Sequence, residues 1–173
     1  IRDRFSGALL VNLLSVLSLV GFLYFVAQHL QLIVGLSPME AGFALVPGML
    51  AMIIAGLVVV PIARRVSPRI VVPVALSFSV VAYLLVPGAV EDGALALLIA
   101  AFTLLGIGIG AAETVSNDLI LSSAPPEKAG AASAVSETAY EVGAVLGTAI
   151  LGGILTAAYR AGIVLPAGVT GAA

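Results

Sequence analysis

No cysteine occurs among the 173 residues, which excludes a disulfide framework, a cysteine zinc site and a thiol nucleophile. Charge is almost as scarce: Asp, Glu, Lys and Arg make up 9% of the chain, against about 25% in soluble domains. A formal net charge of -2 is too small to draw nucleic acid or another strongly charged partner. The chain opens on Ile1 rather than Met, and its first apolar stretch has neither the short apolar region nor the small-residue cleavage site of a signal peptide. We therefore read it as a piece of a longer polypeptide. What is abundant is apolar surface. The chain is 61% hydrophobic with a mean hydropathy of +1.23, the composition of a protein solvated by lipid.

An apolar chain of this kind is counted in spans. Five apolar segments cover roughly residues 7–32, 41–63, 70–88, 94–121 and 129–159, each near or above the roughly 20 residues that cross about 30 Å of hydrocarbon. The breaks between them carry turn chemistry: Ser37-Pro38, Ser67-Pro68, Pro87-Gly88 with Glu91-Asp92, and Pro125-Pro126. The expected fold class is all-α, a polytopic membrane bundle. Residues 160–173, rich in Gly, Ala and Pro, read as an outer loop leading to a further helix.

Orientation follows from the basic residues. With the start of the chain cytoplasmic, the inner segments hold Arg2, Arg4, Arg64, Arg65, Arg69 and Lys128, and the outer ones hold Arg160. Six of the seven on one side is the asymmetry expected of cytoplasmic loops. Asp3 and Glu127 fall inside, and Glu40, Glu91 and Asp92 outside.

Four acids remain, all within apolar segments that contain no Lys or Arg: Glu113, Asp118, Glu137 and Glu141. An ionised carboxylate at mid-membrane costs at least about 2.5 to 3.5 kcal/mol, so an unpaired one is protonated or faces water. At about 1.5 Å per residue, Glu137 lies about 12 Å and Glu141 about 18 Å along the fifth segment. Spaced i,i+4, they share a helix face with Gly130, Ser133, Ala144 and Thr148, whereas Val135, Val142, Leu146 and Ile150 take the opposite face. A small, polar, acidic stripe against an apolar one fits a helix that lines a cavity. Gly143 and Gly147 lie to one flank, where a neighbouring helix can approach closely. Two readings of the acid pair stand. They are permanently protonated groups hydrogen-bonded to neighbouring helices, or a coupled pair that holds one proton and releases it when the surroundings change. In the second reading a lipophilic cation and a proton compete for one site.

In the fourth segment Gly106, Gly110, Glu113 and Asn117 fall on one face, and Asp118 points about 140° away from Glu113, near the inner interface. Glu113 is the likelier cavity group of the two. The run Gly106-Ile107-Gly108-Ile109-Gly110 has no preceding strand, so it reads as close packing or a hinge rather than a nucleotide loop. Gly21, Tyr24, Gln28 and Gln31 make a partly polar stripe near the outer end of the first segment. It either orients a ligand or forms a solvated rim. His29 lies off that stripe.

At this point the residues resemble a known family. The run Gln31-Leu32-Ile33-Val34-Gly35-Leu36-Ser37-Pro38-Met39-Glu40-Ala41-Gly42, followed by Val46-Pro47, is similar to the first outer loop and second helix of the C-terminal bundle in the fourteen-span drug:proton antiporters, a branch of the major facilitator superfamily. The stretch from Ala124-Pro125-Pro126-Glu127-Lys128 through Ser136-Glu137-Thr138-Ala139-Tyr140-Glu141-Val142-Gly143, with Leu146-Gly147, resembles the fifth helix of that bundle. Pro61-Ile62-Ala63-Arg64-Arg65-Val66-Ser67-Pro68-Arg69 looks like the basic inner loop that recurs in each half of the superfamily.

The resemblance implies five helices of a six-helix C-terminal bundle, lacking the last helix and the N-terminal half. It also implies a multi-pass protein of the bacterial inner membrane. Proton-coupled efflux of small lipophilic or cationic compounds by alternating access would be its activity. Proton coupling or cation binding would then fall to Glu137 and Glu141, with Glu113 beside them. Asn117, Ser133, Thr148, Tyr24, Gln28 and Gln31 would line the cavity. Arg64, Arg65 and Arg69 would form the inner basic loop. No cofactor, metal or catalytic residue is implied. The segment 41–63 departs from some relatives in holding no acid midway, with Met49 and Met52 there instead. The rival readings are a carrier of the same fold for a neutral nutrient, an intramembrane enzyme whose acids are catalysts, and a membrane subunit that transports nothing.

Overall fold

The computed structural model describes residues 2–91 and 93–162, with side chains described from residue 5 to 157 except Asp92 and Leu155. Five long helices follow one another: α1 (Arg2–Gln28), α2 (Pro38–Ala63), α3 (Pro68–Glu91), α4 (Leu95–Ser122) and α5 (Ala129–Gly162). A π-helical turn, His29–Ile33, extends α1, and a short 3-10 turn, Pro126–Lys128, leads into α5. Among the described residues α1 with its π turn, α2, α3 and α4 are long and apolar enough to cross a membrane. The fold is thus an all-α membrane bundle. α5 runs on to Gly162, so residues 160–162 of the expected outer loop are helical; residues 163–173 lie outside the described residues.

Local chemistry accounts for the helix ends. Ser37 caps α2: its Oγ accepts from the Glu40 backbone N–H at 3.3 Å, and the Glu40 carboxylate accepts from the Ser37 N–H at 2.8 Å. This reciprocal pair, with Pro38 at the first helical position, is a capping box. Gly35 and Gly93 adopt φ of 78° and 62° in the turns before α2 and α4, a region where L side chains are strained. The break expected at Pro87-Gly88 falls instead after Glu91, and both residues lie within α3. Prolines also sit inside the helices at Pro47, Pro61 and Pro73. Helices in lipid tolerate them because an unsatisfied backbone has no water to turn to, so the chain stays helical and neighbours absorb the strain.

α4 is the hub of the bundle, packed on α1, α2 and α3. Half of its most apolar stretch is buried, against 11% for α2, whose outer face (Phe43, Leu50, Ile53, Leu57) is left for lipid. The rings of Phe22 on α1 and Phe102 on α4 stack at 5.8 Å, and Phe22 meets the edge of Tyr83 on α3 at 5.4 Å. The Tyr83 hydroxyl donates to the Ser18 carbonyl at 2.8 Å and ties α3 to α1.

Glycines set the closest approaches. A Cβ at Gly106 or Gly110 would collide with the backbone carbonyls of Gly48 and Met52, so α2 and α4 touch backbone to backbone. The same holds for α5 on α1. A Cβ at Gly143 would lie 2.6 Å from the Leu13 carbonyl oxygen, and one at Gly147 2.5 Å from that of Leu17. The close-packing reading of the Gly106–Gly110 run and of the Gly143/Gly147 pair is therefore borne out.

Candidate functional site

α5 presents three faces rather than two. Ala132, Ser136, Ala139, Gly143 and Gly147 are buried and include the face that meets α1. Val135, Val142, Leu146 and Ile150 form an exposed apolar face. The third face carries Glu137 and Glu141, both exposed, with Gly130, Ser133 and Thr148 exposed beside them and Ala144 half-buried. The acids share one face because α5 is continuous through them, and the small residues on the packed side let α1 pass closely enough to hold that face outward. The Thr148 hydroxyl donates to the Ala144 carbonyl of its own helix at 3.1 Å.

The stripe expected on α4 splits. Gly106 and Gly110 are buried against α2, where two backbones in contact leave no cavity. Glu113, a turn further on, is half-buried, and its Oε1 is enclosed without a hydrogen-bond partner. Asn117 is exposed, and its Oδ1 accepts from Ser136 Oγ on α5 at 3.2 Å. Asp118 is exposed on the far side of the helix. The Asn117–Ser136 bond links α4 directly to α5, and the Tyr140 ring of α5 lies within electrostatic range of Glu113, Glu137 and Glu141 together. Ser136 and Tyr140 were not singled out from the sequence; Ser136 one position before Glu137, and Tyr140 one before Glu141, were the available signals.

Glu113 on α4 and Glu137 and Glu141 on α5 thus all lie within electrostatic range of one phenol. Among the described residues no three His, Cys, Asp or Glu groups gather closely enough to hold a metal ion. Such an arrangement can exchange protons, accept hydrogen bonds and stabilise a positive charge. Along α1–α5 no Lys or Arg stands between Phe5 and Ala63, or between Leu95 and Ser122, to neutralise it internally.

At the C-terminal end of α1, Tyr24 and Gln28 line a cavity of about 250 Å³ with Phe25, His29, Leu32, Ile33 and Thr156. His29 was expected off this stripe. It is instead 6% exposed, stacked on Phe25 at 5.9 Å, and part of the same cavity. The π turn accounts for this, since its wider winding rotates the residues from 29 onward, and it leaves Gln31 exposed outside the cavity lining. Gly21 and Tyr24 meet Leu151 and Gly152 of α5, so part of the polar stripe is helix packing. Arg64, Arg65 and Arg69 are all exposed at the turn from α2 to α3, with Arg64 as the C-cap of α2. Arg69, with Ser67 and Pro68, also borders an apolar cleft of about 420 Å³ between the starts of α1 and α3.

Comparison with known proteins follows this geometry. The chain is 48% identical to the multidrug efflux pump LfrA of Mycolicibacterium smegmatis over 96% of its own length and 33% of the pump's. It is 36% identical to the methyl viologen resistance protein SmvA of Salmonella typhimurium, covering 96% of this chain and 34% of that one. It is 32% identical to the tetracenomycin C resistance and export protein of Streptomyces glaucescens, over 93% and 30% respectively. The chain therefore spans about a third of the length of the curated relatives it matches. No solved structure matches significantly. Residues 8–173 match the sequence profile of the Major Facilitator Superfamily, and the chain belongs to that superfamily of membrane transporters.

Proposed function

We propose that this chain is part of a drug-efflux transporter that exchanges protons for lipophilic or cationic compounds, with its start on the cytoplasmic side of a bacterial plasma membrane. The observation that carries the reading is the pair Glu137 and Glu141, exposed on one face of α5 with no Lys or Arg between Phe5 and Ala63, between Leu95 and Ser122 or between Ala129 and Tyr159 to pair with. Two carboxyls a turn apart resist double ionisation, and a low-dielectric setting makes the ionised form costlier still. In this reading the pair exchanges a proton for a cation. Cation and proton exclude one another at a single site, which makes exchange obligatory without contact between them. The small and polar residues around the pair, Ser133 and Thr148 with Asn117 and Glu113 across on α4, are suited to a cavity wall.

Support for efflux comes from the relatives, which carry the names of a multidrug efflux pump, a methyl viologen resistance protein and an antibiotic export protein. Alternating access would rock this bundle against the remainder of the transporter, with Arg64, Arg65 and Arg69 on the inner surface. The test uses the complete transporter in inverted membrane vesicles. Glu137→Gln and Glu141→Gln should each abolish most of the proton-driven uptake of tetraphenylphosphonium. Near-normal coupling in both variants would sink the assignment.

A further inference from the structure

We propose that Tyr140 is the aromatic contact that reads the substrate's positive charge, in the seam between α4 and α5, with Glu113 as the facing wall. The proposal rests on the efflux reading above and names a residue that the acid pair alone does not imply.

The geometry starts from a side-chain bond that joins the two helices, Ser136 Oγ to Asn117 Oδ1 at 3.2 Å. α4 runs inward where α5 runs outward in the proposed orientation, so the helices are antiparallel. Four residues back from Asn117 is Glu113, and four residues on from Ser136 is Tyr140. Both steps climb one turn in the same direction, about 6 Å, and set Glu113 opposite Tyr140. The electrostatic reach of Tyr140 to Glu113, as well as to Glu137 and Glu141, agrees with that register. α4 and α5 touch along a short stretch only, so the seam is lightly packed where these groups meet.

Two features point to a cationic occupant. Glu113 Oε1 is enclosed and accepts no hydrogen bond, which leaves a buried acceptor without a partner on the α4 side. Tyr140 is 41% exposed, so its ring is available to a ligand. A ring face attracts a cation through its quadrupole, most strongly when water is excluded, and the carboxylates around it supply the net charge. The groups facing Tyr140 are Glu113 from α4 and Glu137 and Glu141 from its own helix. The apolar stretch of α1 from Phe5 to Leu23 contributes no ionisable side chain. Charge neutralisation in the seam must therefore come from a proton or from the substrate. The acids respond to any cation, whereas the ring favours weakly hydrated, delocalised or quaternary ones, and it is the ring that gives the site a substrate class.

The experiment measures equilibrium binding to the purified complete transporter, with tetraphenylphosphonium as the permanent cation and Nile red as an uncharged lipophilic probe. Tyr140→Leu should weaken tetraphenylphosphonium binding roughly fivefold to thirtyfold, the range of a partly desolvated cation–π contact, while Nile red binds within about twofold of wild type. Tyr140→Phe, which keeps the ring and loses the hydroxyl, should bind the cation as wild type does. The proposal is overturned if Tyr140→Leu keeps its affinity for the cation, if Phe loses as much as Leu, or if both probes weaken together. Binding is read without proton transport, so near-normal coupling in the acid variants with intact ring selectivity would count against the efflux mechanism alone. A wild-type protein that binds neither probe would overturn both.

Discussion

α4 and α5 have similar lengths and each carries acids in an apolar setting, yet they stand in opposite relations to the bundle. α4 is enclosed by α1, α2 and α3, and its glycines bring backbones into contact. Its one inward acid, Glu113, is half-buried at the edge of that packing. α5 leans on α1 along a single small-residue face and leaves Glu137 and Glu141 exposed. α4 is thus the packed scaffold of the bundle, and in the proposed mechanism α5 is its chemical surface, joined to α4 at the Asn117–Ser136 bond.

The largest expected effect breaks the comparison at its chemical end. Replacing Glu137 or Glu141 with Gln should lower proton-driven efflux to about a tenth of wild type or less, the factor that corresponds to about 1.4 kcal/mol. Thermal stability in detergent should change little, because both side chains are exposed. Glu113→Gln should reduce efflux less, since Glu113 stands across the seam from the pair.

At the scaffold end, Gly110→Leu should destabilise the protein by roughly 3 kcal/mol or more, because overpacking at a backbone contact leaves no side chain to yield. Gly147→Leu, which presses on the Leu17 carbonyl, should cost less, since α5 is packed on fewer sides and can shift. Melting temperatures in detergent give the order, and equal losses would remove the distinction between a fixed hub and a lighter lever. The smallest effect is expected at the junction. Ser136→Ala removes one interhelical hydrogen bond and should cost about 0.6 kcal/mol, the average for such bonds in a membrane protein.

Much of this fold was legible because lipid imposes a simple rule, that apolar stretches of sufficient length become helices. Gly143 and Gly147 were readable as a contact face because small residues at that spacing have few other uses in a membrane helix. The Pro87-Gly88 break was misplaced because turn chemistry learned in water does not end a helix in hydrocarbon. His29 was misplaced for a related reason. A π turn adds an extra residue to the winding, and nothing in the local composition of His29–Ile33 announces it. The candidate site was legible in part. Glu137 and Glu141 stand out as unpaired acids on one helix, whereas the opposition of Glu113 to Tyr140 depends on the register between two helices, which periodicity along either one does not contain.

The central claim is that proton and cation compete for the acid pair, and proton release measures it most directly. Saturating tetraphenylphosphonium is added to the purified complete transporter in weakly buffered detergent solution, with a pH indicator present. Wild type should release protons into solution, and a variant carrying both Glu137→Gln and Glu141→Gln should release none. Equal release from both proteins, or binding of the cation by wild type with no release, would contradict the account.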